Sequence, residues 1–294
     1  MHKKFGSIAI IGRPNVGKST LMNFILGEKI SITSNKPQTT RNRILGIKTT
    51  DTVQMVFIDT PGLHHHYKHE MNRIMNRAAR DTLSEVDVVL FLIEAMRWNE
   101  DDALALKQLK SLEIPVILAI NKVDMIKNKL ELLPFIENLA KQHDFAKIIP
   151  LSAKSGIQVD ELEKTVESLM PHEGEMYPPE QITDRNDRFI ATEFMREKLM
   201  RSTSSEIPYE LAVTVELMEE EEDIMKISLI IWVARESQKS IVIGKHGSVL
   251  KQAGTQARKD LEYYFQKKVL LKSWVKVREN WSDDQRAIGE LGVE

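Results

Sequence analysis

The chain has 294 residues, 42% of them hydrophobic and 29% charged, with a net charge of −2 and no cysteine. That length suffices for two domains with a core each, and the composition is that of an ordinary soluble globular protein. The missing cysteine excludes disulfides, thiolate metal sites and cysteine catalysis. No run approaches the ~18 apolar residues of a membrane span. The apolar stretch after Met1 is about one strand long and flows into a glycine-rich loop, so no targeting segment is expected.

The first predicted strand, Ser7 to Ile11, runs into Gly12-Arg13-Pro14-Asn15-Val16-Gly17-Lys18-Ser19, which fits G-x-x-x-x-G-K-[ST] at every fixed position. Thr20 to Leu26 then has helical spacing, with Gly27 at a C-cap. This is the strand–loop–helix setting of a phosphate loop. Its backbone N–H groups turn inward around phosphate oxygens, and the helix dipole favours their charge. Lys18 is expected to reach the β- and γ-phosphates and Ser19 to ligate Mg²⁺, with Thr20 completing the nucleotide contacts.

Lys29 to Arg43 is polar and aperiodic, and is read as a mobile loop that closes over the γ-phosphate. It offers a second hydroxyl ligand to Mg²⁺, Thr40 being favoured among its threonines. Strands are predicted over Ile44 to Thr49 and Thr52 to Ile58, the second leading into Asp59-Thr60-Pro61-Gly62. Asp59 at a buried strand end can hold Mg²⁺ through water, and the Gly62 N–H can bond the γ-phosphate. Leu63 follows, and His64-His65-His66-Tyr67-Lys68-His69 puts four histidines in six residues. With no cysteine or acid at ligand spacing, an exposed switch loop is preferred there to a metal site.

Met71 to Leu83, Asn99 to Leu112, Lys129 to Lys141 and Val159 to Leu169 are predicted helices; Val86 to Ile93, Ile114 to Ile120 and Ala146 to Leu151 are predicted strands. The alternation gives an α/β domain with a mainly parallel sheet and helices on both faces. Asn121-Lys122-Val123-Asp124 closes one strand. Guanine offers two adjacent donors, and the Asp124 carboxylate can accept both, which selects GTP over ATP. Lys122 would lie along the base and Asn121 would tie loops together. Ser152-Ala153-Lys154 closes the next strand, with the Ala153 N–H aimed at guanine O6. These motifs fall at the C-terminal ends of strands, where such sheets bind ligands.

Residues 1–170 are taken as this domain, 171–184 as a Pro-rich, acidic, semi-rigid linker, 185–280 as a second domain and 281–294 as a tail. The second domain reads as an amphipathic helix over Asp187 to Leu199, strands over Glu210 to Met218 and Met225 to Ala234, a short helix, a helix to Phe265 and a strand over Val269 to Val277. The acidic run Glu219 to Asp223 is a solvated hairpin tip. Between the two helices lies Ile243-Gly244-Lys245-His246-Gly247-Ser248, whose paired glycines admit a phosphodiester chain. Lys245, His246, Lys251 and Arg258 add basic and hydrogen-bonding groups. Lys226 to Arg278 holds 12 Lys and Arg against 3 Asp and Glu, a balance of +9 that leaves −11 for the remainder. Such asymmetry points to nucleic acid at the C-terminal end.

Residues 5 to 170 thus resemble a small GTPase domain of the translation-factor class. The α-β-β-α-α-β order with Gly-x-x-Gly resembles a type II KH domain. Together they resemble the Era family, within the TrmE-Era-EngA-like superfamily. That resemblance implies GTP and GDP as ligands with Mg²⁺, and Lys18, Asn15, Thr40 and Gly62 as the catalytic set. It implies binding near the 3′ end of small-subunit ribosomal RNA during 30S maturation, by a monomer in the cytoplasm that also touches the inner face of the cell membrane. Ras-like switches carry a catalytic glutamine after Asp-x-x-Gly. Leu63 stands in that place, so slow intrinsic turnover is expected. With Asn15 in the loop and the apolar Leu63 after Asp-x-x-Gly, the chain resembles a group of phosphate-loop GTPases activated by K⁺, in which that Asn holds the ion; the alternative is that Asn15 caps the turn by bonding its own backbone. The rival reading is a regulatory GTPase at the membrane surface that uses its basic face for anionic lipid; Gly254, taken to interrupt the basic helix, and the preceding Gly-x-x-Gly favour RNA.

Overall fold

The structure, a computed structural model, describes residues 3–36, 38–62, 70–203 and 207–293. The Leu63 and His64 to His66 readings fall outside them. The described chain divides into two compact units. The first takes residues 3–31, 40–62 and 75–184, the second 32–36, 38–39, 70–74 and 185–203 with 207–293.

The first unit is built on β1 (Lys4–Ile11), β2 (Ile44–Thr49), β3 (Val53–Asp59), β4 (Val88–Glu94), β5 (Val116–Asn121) and β6 (Lys147–Pro150). Their order is β2-β3-β1-β4-β5-β6. All neighbours are parallel except β2, which pairs antiparallel with β3 and closes an edge. Every residue of β3 and β4 is buried. Strands covered on both faces need continuous Val, Ile, Leu and Phe rather than alternation, and Val88-Val89-Leu90-Phe91-Leu92-Ile93 supplies it. Helices α1 (Lys18–Leu26), α2 (Glu70–Leu83), α3 (Glu100–Leu109), α4 (Leu132–Ala140) and α5 (Val159–Ser168) lie between strands in the chain. Asn99 starts α3 with a reciprocal capping box to Asp102, which satisfies two N-terminal donors. The parallel crossovers bring the loops after β1, β3, β5 and β6 to one edge of the sheet.

Residues 171–184 do not form a free connector. β7 (His172–Glu173) adds antiparallel to the start of β1. Farther on, the fully buried Gln54 side chain accepts from Met176 N at 2.8 Å and Tyr177 N at 2.9 Å, and donates to Tyr177 O at 2.8 Å. Ile47 N donates to Ile182 O at 2.9 Å. A buried amide without partners is costly, and this segment supplies them.

The second unit contains α6 (Asp187–Ser202), β8 (Leu211–Glu220), β9 (Ile224–Val233), α7 (Glu236–Ile243), α8 (Ser248–Phe265), β10 (Lys268–Val277) and α9 (Gln285–Glu290). Its sheet runs β10-β9-β8, with β10 parallel and β8 antiparallel to β9. α6 packs on β8 and α8, α8 on β10, and α7 on β9 and β10. Two expectations are corrected. α6 is not amphipathic but buried nearly all round from Ile190 to Met200. Its charges survive burial because each is paired: Arg196 holds Glu193 through Nε at 2.6 Å and Nη2 at 2.7 Å, and Lys198 joins Glu197 at 2.9 Å and Asp260 at 2.5 Å. Arg196 also donates to Gln38 O and Thr39 O, and Thr33 N donates to Glu197 at 3.0 Å, which is why residues 32–36 and 38–39 count with this unit. Second, Gly254 does not interrupt α8, which runs unbroken from Ser248 to Phe265. Gly costs only about 1 kcal/mol in a helix, and the buried stripe Ala253, Ala257 and Leu261 outweighs it.

The expected tail is part of this unit's core. Trp281 is fully buried and donates from Nε1 to Glu210 O at 3.2 Å, and Asp284 caps α9, placing Ala287 and Ile288 inside. Trp281→Ala should therefore cost about 3–5 kcal/mol of stability, read by urea unfolding of the isolated variant chain. A loss below about 1 kcal/mol would return residues 281–294 to the status of a tail.

Candidate nucleotide site and nucleic-acid interface

The phosphate loop owes its path to backbone conformations that few residues tolerate. Gly17 sits at φ 106°, and a Cβ there would stand 2.3 Å from Asn121 Nδ2. Glycine is required on both counts. Asn15 adopts φ 65° and its side chain is exposed. Lys18 is 6% exposed and donates to Gly12 O at 2.9 Å and Arg13 O at 3.1 Å. Burial pulls its pKa down to about 8, partly offset by Asp59. Negative phosphate oxygens supply the counter-charge this ammonium lacks.

Asp59 ends β3 fully buried. Its Oδ2 accepts from Ser19 Oγ at 2.6 Å, Ser31 Oγ at 2.8 Å and Thr40 Oγ1 at 3.4 Å, while Ser19 Oγ and Thr40 Oγ1 stand 2.9 Å apart. Its Oδ1 has no partner among the described residues. Burial pushes the carboxyl up, against Lys18 and the three hydroxyls. Three hydroxyls and an open carboxylate oxygen are hard oxygen donors, which fits Mg²⁺. Ser19 and Thr40 would hold the ion and Asp59 would stand behind them. The sequence reading chose these three; it missed Ser31, whose only signal is a hydroxyl in the same polar loop. Thr60 Oγ1 donates to Ile10 O at 2.9 Å and pins the ends of β3 and β1 together. Gly62 lies buried against Pro14, whose backbone N would be 2.9 Å from an added Cβ. That apposition places Pro61 and Gly62 beside the phosphate loop.

Asn121 ties three loops. Its Nδ2 donates to Val16 O at 2.7 Å, and its Oδ1 accepts from Lys122 N at 2.7 Å and Ala153 N at 2.9 Å. The Ala153 N–H expected at guanine O6 is here donated to Asn121 Oδ1. Ser152 is fully buried, its Oγ accepting from Ser155 N at 3.3 Å, and Lys154 is exposed. Asp124 is exposed on a single turn after β5, without an ion pair or hydrogen bond among the described residues.

Sequence reasoning missed Glu94, the acid that ends β4. Its Oε2 receives Arg13 Nη2 of the phosphate loop at 3.2 Å and Lys122 Nζ of the base loop at 2.9 Å. Burial would raise its pKa, yet Lys122, Arg97 and Arg13 hold it below the usual range. Arg13 Nε also reaches the fully buried Asp102 at 3.2 Å. An acid closing an otherwise apolar strand was the available signal.

In the second unit, α7 ends at Gly244 (φ 74°) and α8 is capped by Gly247 (φ 77°). Only glycine takes the first without strain, since a Cβ there would stand 2.5 Å from Val249. Lys245, His246, Ser248 and Lys251 are exposed and without ion pairs among the described residues, and Ile243 is half-buried below them. Arg258 is instead engaged with Glu262 one turn along its helix at 2.6 Å, so its charge is partly spent. No cluster of three or more metal-ligating His, Asp or Glu occurs among the described residues.

The comparisons agree with this geometry. Residues 7–122 match the family described as 50S ribosome-binding GTPase, and residues 206–282 match the KH domain. GTPase Era of Coxiella burnetii is 56% identical over 98% of both chains, and that of Pasteurella multocida 51% over 98% of this chain and 94% of its own. Two solved structures superpose over 99% of both chains: Era in complex with MgGDPNP and nucleotides 1506–1542 of 16S ribosomal RNA (39% identity, TM-score 0.96), and an Aquifex aeolicus Era variant bound to GDP·AlF₄⁻ (38%, 0.95). Fold and site together define a phosphate-loop GTPase joined to a C-terminal KH domain. The chain belongs to the Era GTPase family.

Base selection by Asp124 has a direct check. Asp124→Asn replaces one acceptor with a donor facing guanine N1–H. GDP affinity should fall by tenfold or more, with xanthosine diphosphate gaining, as measured by calorimetry. Unchanged GDP affinity would remove Asp124 from the base site.

Proposed function

We propose that this GTPase binds the 3′-terminal region of small-subunit ribosomal RNA and serves maturation of the 30S particle in the cytoplasm. The observation that carries the reading is the Gly244–Gly247 turn. Its basic side chains have no acidic partner among the described residues, and the chain is 39% identical across 99% of its length to a protein crystallised with that RNA. Lipid is the weaker occupant, because α8 turns its apolar residues Ala253, Ala257 and Leu261 into its own unit. Among the described residues no helix is long and apolar enough to cross a membrane. Contact with the inner membrane face keeps only the resemblance as support.

For hydrolysis, Lys18 would oppose charge that builds between the β- and γ-phosphates, and the Gly62 N–H would bond the γ-phosphate. Asn121 fixes the loops on which Lys122 and Asp124 meet guanine. Mg²⁺, when bound, neutralises phosphate oxygens. Asn15, exposed at the loop's turn, is assigned to K⁺ at the place an arginine finger would take. Turnover should then be faster in KCl than in NaCl at equal ionic strength, and Asn15→Ala should erase the difference while GDP binding holds. Equal rates in the two salts would leave Asn15 a turn residue.

The RNA reading is tested by changing Lys245 and His246 together to Asp, which sets two carboxylates against phosphates. Affinity for RNA of nucleotides 1506–1542 should drop more than tenfold, with a shallower salt dependence. Retained affinity and an unchanged salt slope would defeat the assignment.

A further inference from the structure

β10 is an edge strand with two different faces. Val269 is buried toward the helices, while Lys268, Leu270, Lys272, Trp274 and Lys276 all point to the other side and are exposed. The register extends that outer face across the sheet. Leu270 lies beside Lys226, Lys272 beside Ser228, Trp274 beside Ile230 and Lys276 beside Trp232; Ser228 in turn lies opposite Leu217 on β8. Trp274 is 45% exposed and Leu270 and Leu217 are 42% exposed each. Single exposed apolar residues need no explanation, but here three share one sheet face, with Lys272 between Leu270 and Trp274 and Ser228 between Lys272 and Leu217.

The two tryptophans are held differently. Trp232 is fixed by its Nε1 donating to Thr214 Oγ1 at 2.9 Å, and Lys276 Nζ stands 5.9 Å over its ring. Trp274 stands beside the nearly buried Ile230 in the register and leaves much of its side chain to solvent. The acids on this face are Glu216 and Glu219. Lys276 is shared with Glu216 at 3.9 Å, Glu219 lies opposite Lys226, and Lys226 also pairs with Glu221 at the hairpin tip. Lys268 and Lys272 have no acidic partner among the described residues. They are four residues apart, about 13 Å along a strand.

We propose that this outer sheet face is a second binding surface for single-stranded RNA, with a base stacked on Trp274 and phosphates met by Lys272 and Lys268. The inference rests on the KH reading above and extends it. α7, which ends in the Gly244–Gly247 turn, packs on β10, so the turn and this face belong to the same unit, and an extended RNA can engage both. An aromatic ring beside the uncompensated Lys272, with Lys268 farther along the same strand, matches a ligand that offers a π-face and negative charge at every step. A protein partner would find two lone ammonium groups to desolvate.

The test uses the full chain, RNA of nucleotides 1506–1542, and a truncation series of that RNA down to about six nucleotides, little more than the four a Gly-x-x-Gly turn clamps. Trp274→Ala and Lys272→Glu should each weaken the longest RNA about tenfold and leave the shortest RNA that still binds within twofold. Trp274→Phe, which keeps a stacking ring, should restore most of the affinity, and Lys272→Glu should make the salt slope shallower by about 0.7. If both variants bind the longest RNA within twofold of the parent while Lys245→Asp with His246→Asp abolishes binding, the face is not an RNA surface and the turn still is. If binding survives that double change but falls with Trp274→Ala, the face stands and the turn assignment fails.

Discussion

The nucleotide site depends on two opposite charges buried at one sheet edge. Lys18 and Asp59 are both nearly or wholly out of water, and neither reaches the other closely enough to form an ion pair. Each is instead solvated by fixed polar groups, Lys18 by carbonyls of its own loop and Asp59 by Ser19, Ser31 and Thr40. Burying charges in this way is expensive unless the cavity supplies the missing partners. A polyanionic phosphate chain with a divalent cation supplies both, one to each residue. The two charges therefore make the empty arrangement costly and the nucleotide-bound one favourable.

The sheet makes this geometry available. β3 and β4 are buried along their whole length, with Gln54 the one polar side chain before their carboxyl ends, where Asp59 and Glu94 appear. Their loops converge because parallel connections all return to the same edge. Asn121 then locks the convergence, spending both ends of its amide on the phosphate loop and on the Ser152–Ala153 turn. Glu94 adds an ionic link between Arg13 and Lys122. Phosphate and base subsites are thus held by two residues that need not touch the reacting atoms.

Most of the architecture was legible because it rests on local pattern. Gly12 to Ser19 between an apolar strand and a helix, Asp59 closing a strand, and Asn121 to Asp124 closing another each carry their structural context with them. What was not legible depends on long-range pairing. Nothing near residues 171–184 announces that Gln54, over a hundred residues earlier, needs their backbone. Helical periodicity misjudged α6, because paired charges such as Arg196 with Glu193 are as buried as leucines there. Trp281 sits next to polar residues, and its burial follows only from where Glu210 offers a carbonyl. The Ala153 amide was assigned to guanine because the motif was read residue by residue, without the side chain of Asn121 that competes for it.

The two units differ in how they meet anionic ligands. The nucleotide site buries the charges of Lys18 and Asp59, while the exposed Asp124 is the group assigned to select the base by directional hydrogen bonds. The KH unit keeps Lys245, His246 and Lys251 exposed on a turn whose backbone, at Gly244, no other residue could form without strain. Exposed lysines lose little desolvation energy on binding and are screened by salt, so such a surface gains affinity by adding contacts along the ligand rather than by tightening one. A long, flexible polyanion suits that physics, and a nucleotide held through a single turnover suits the other. The chain places each ligand on the unit whose burial matches it: buried charges at the sheet edge for the compact phosphate chain, and an exposed basic turn for the extended one.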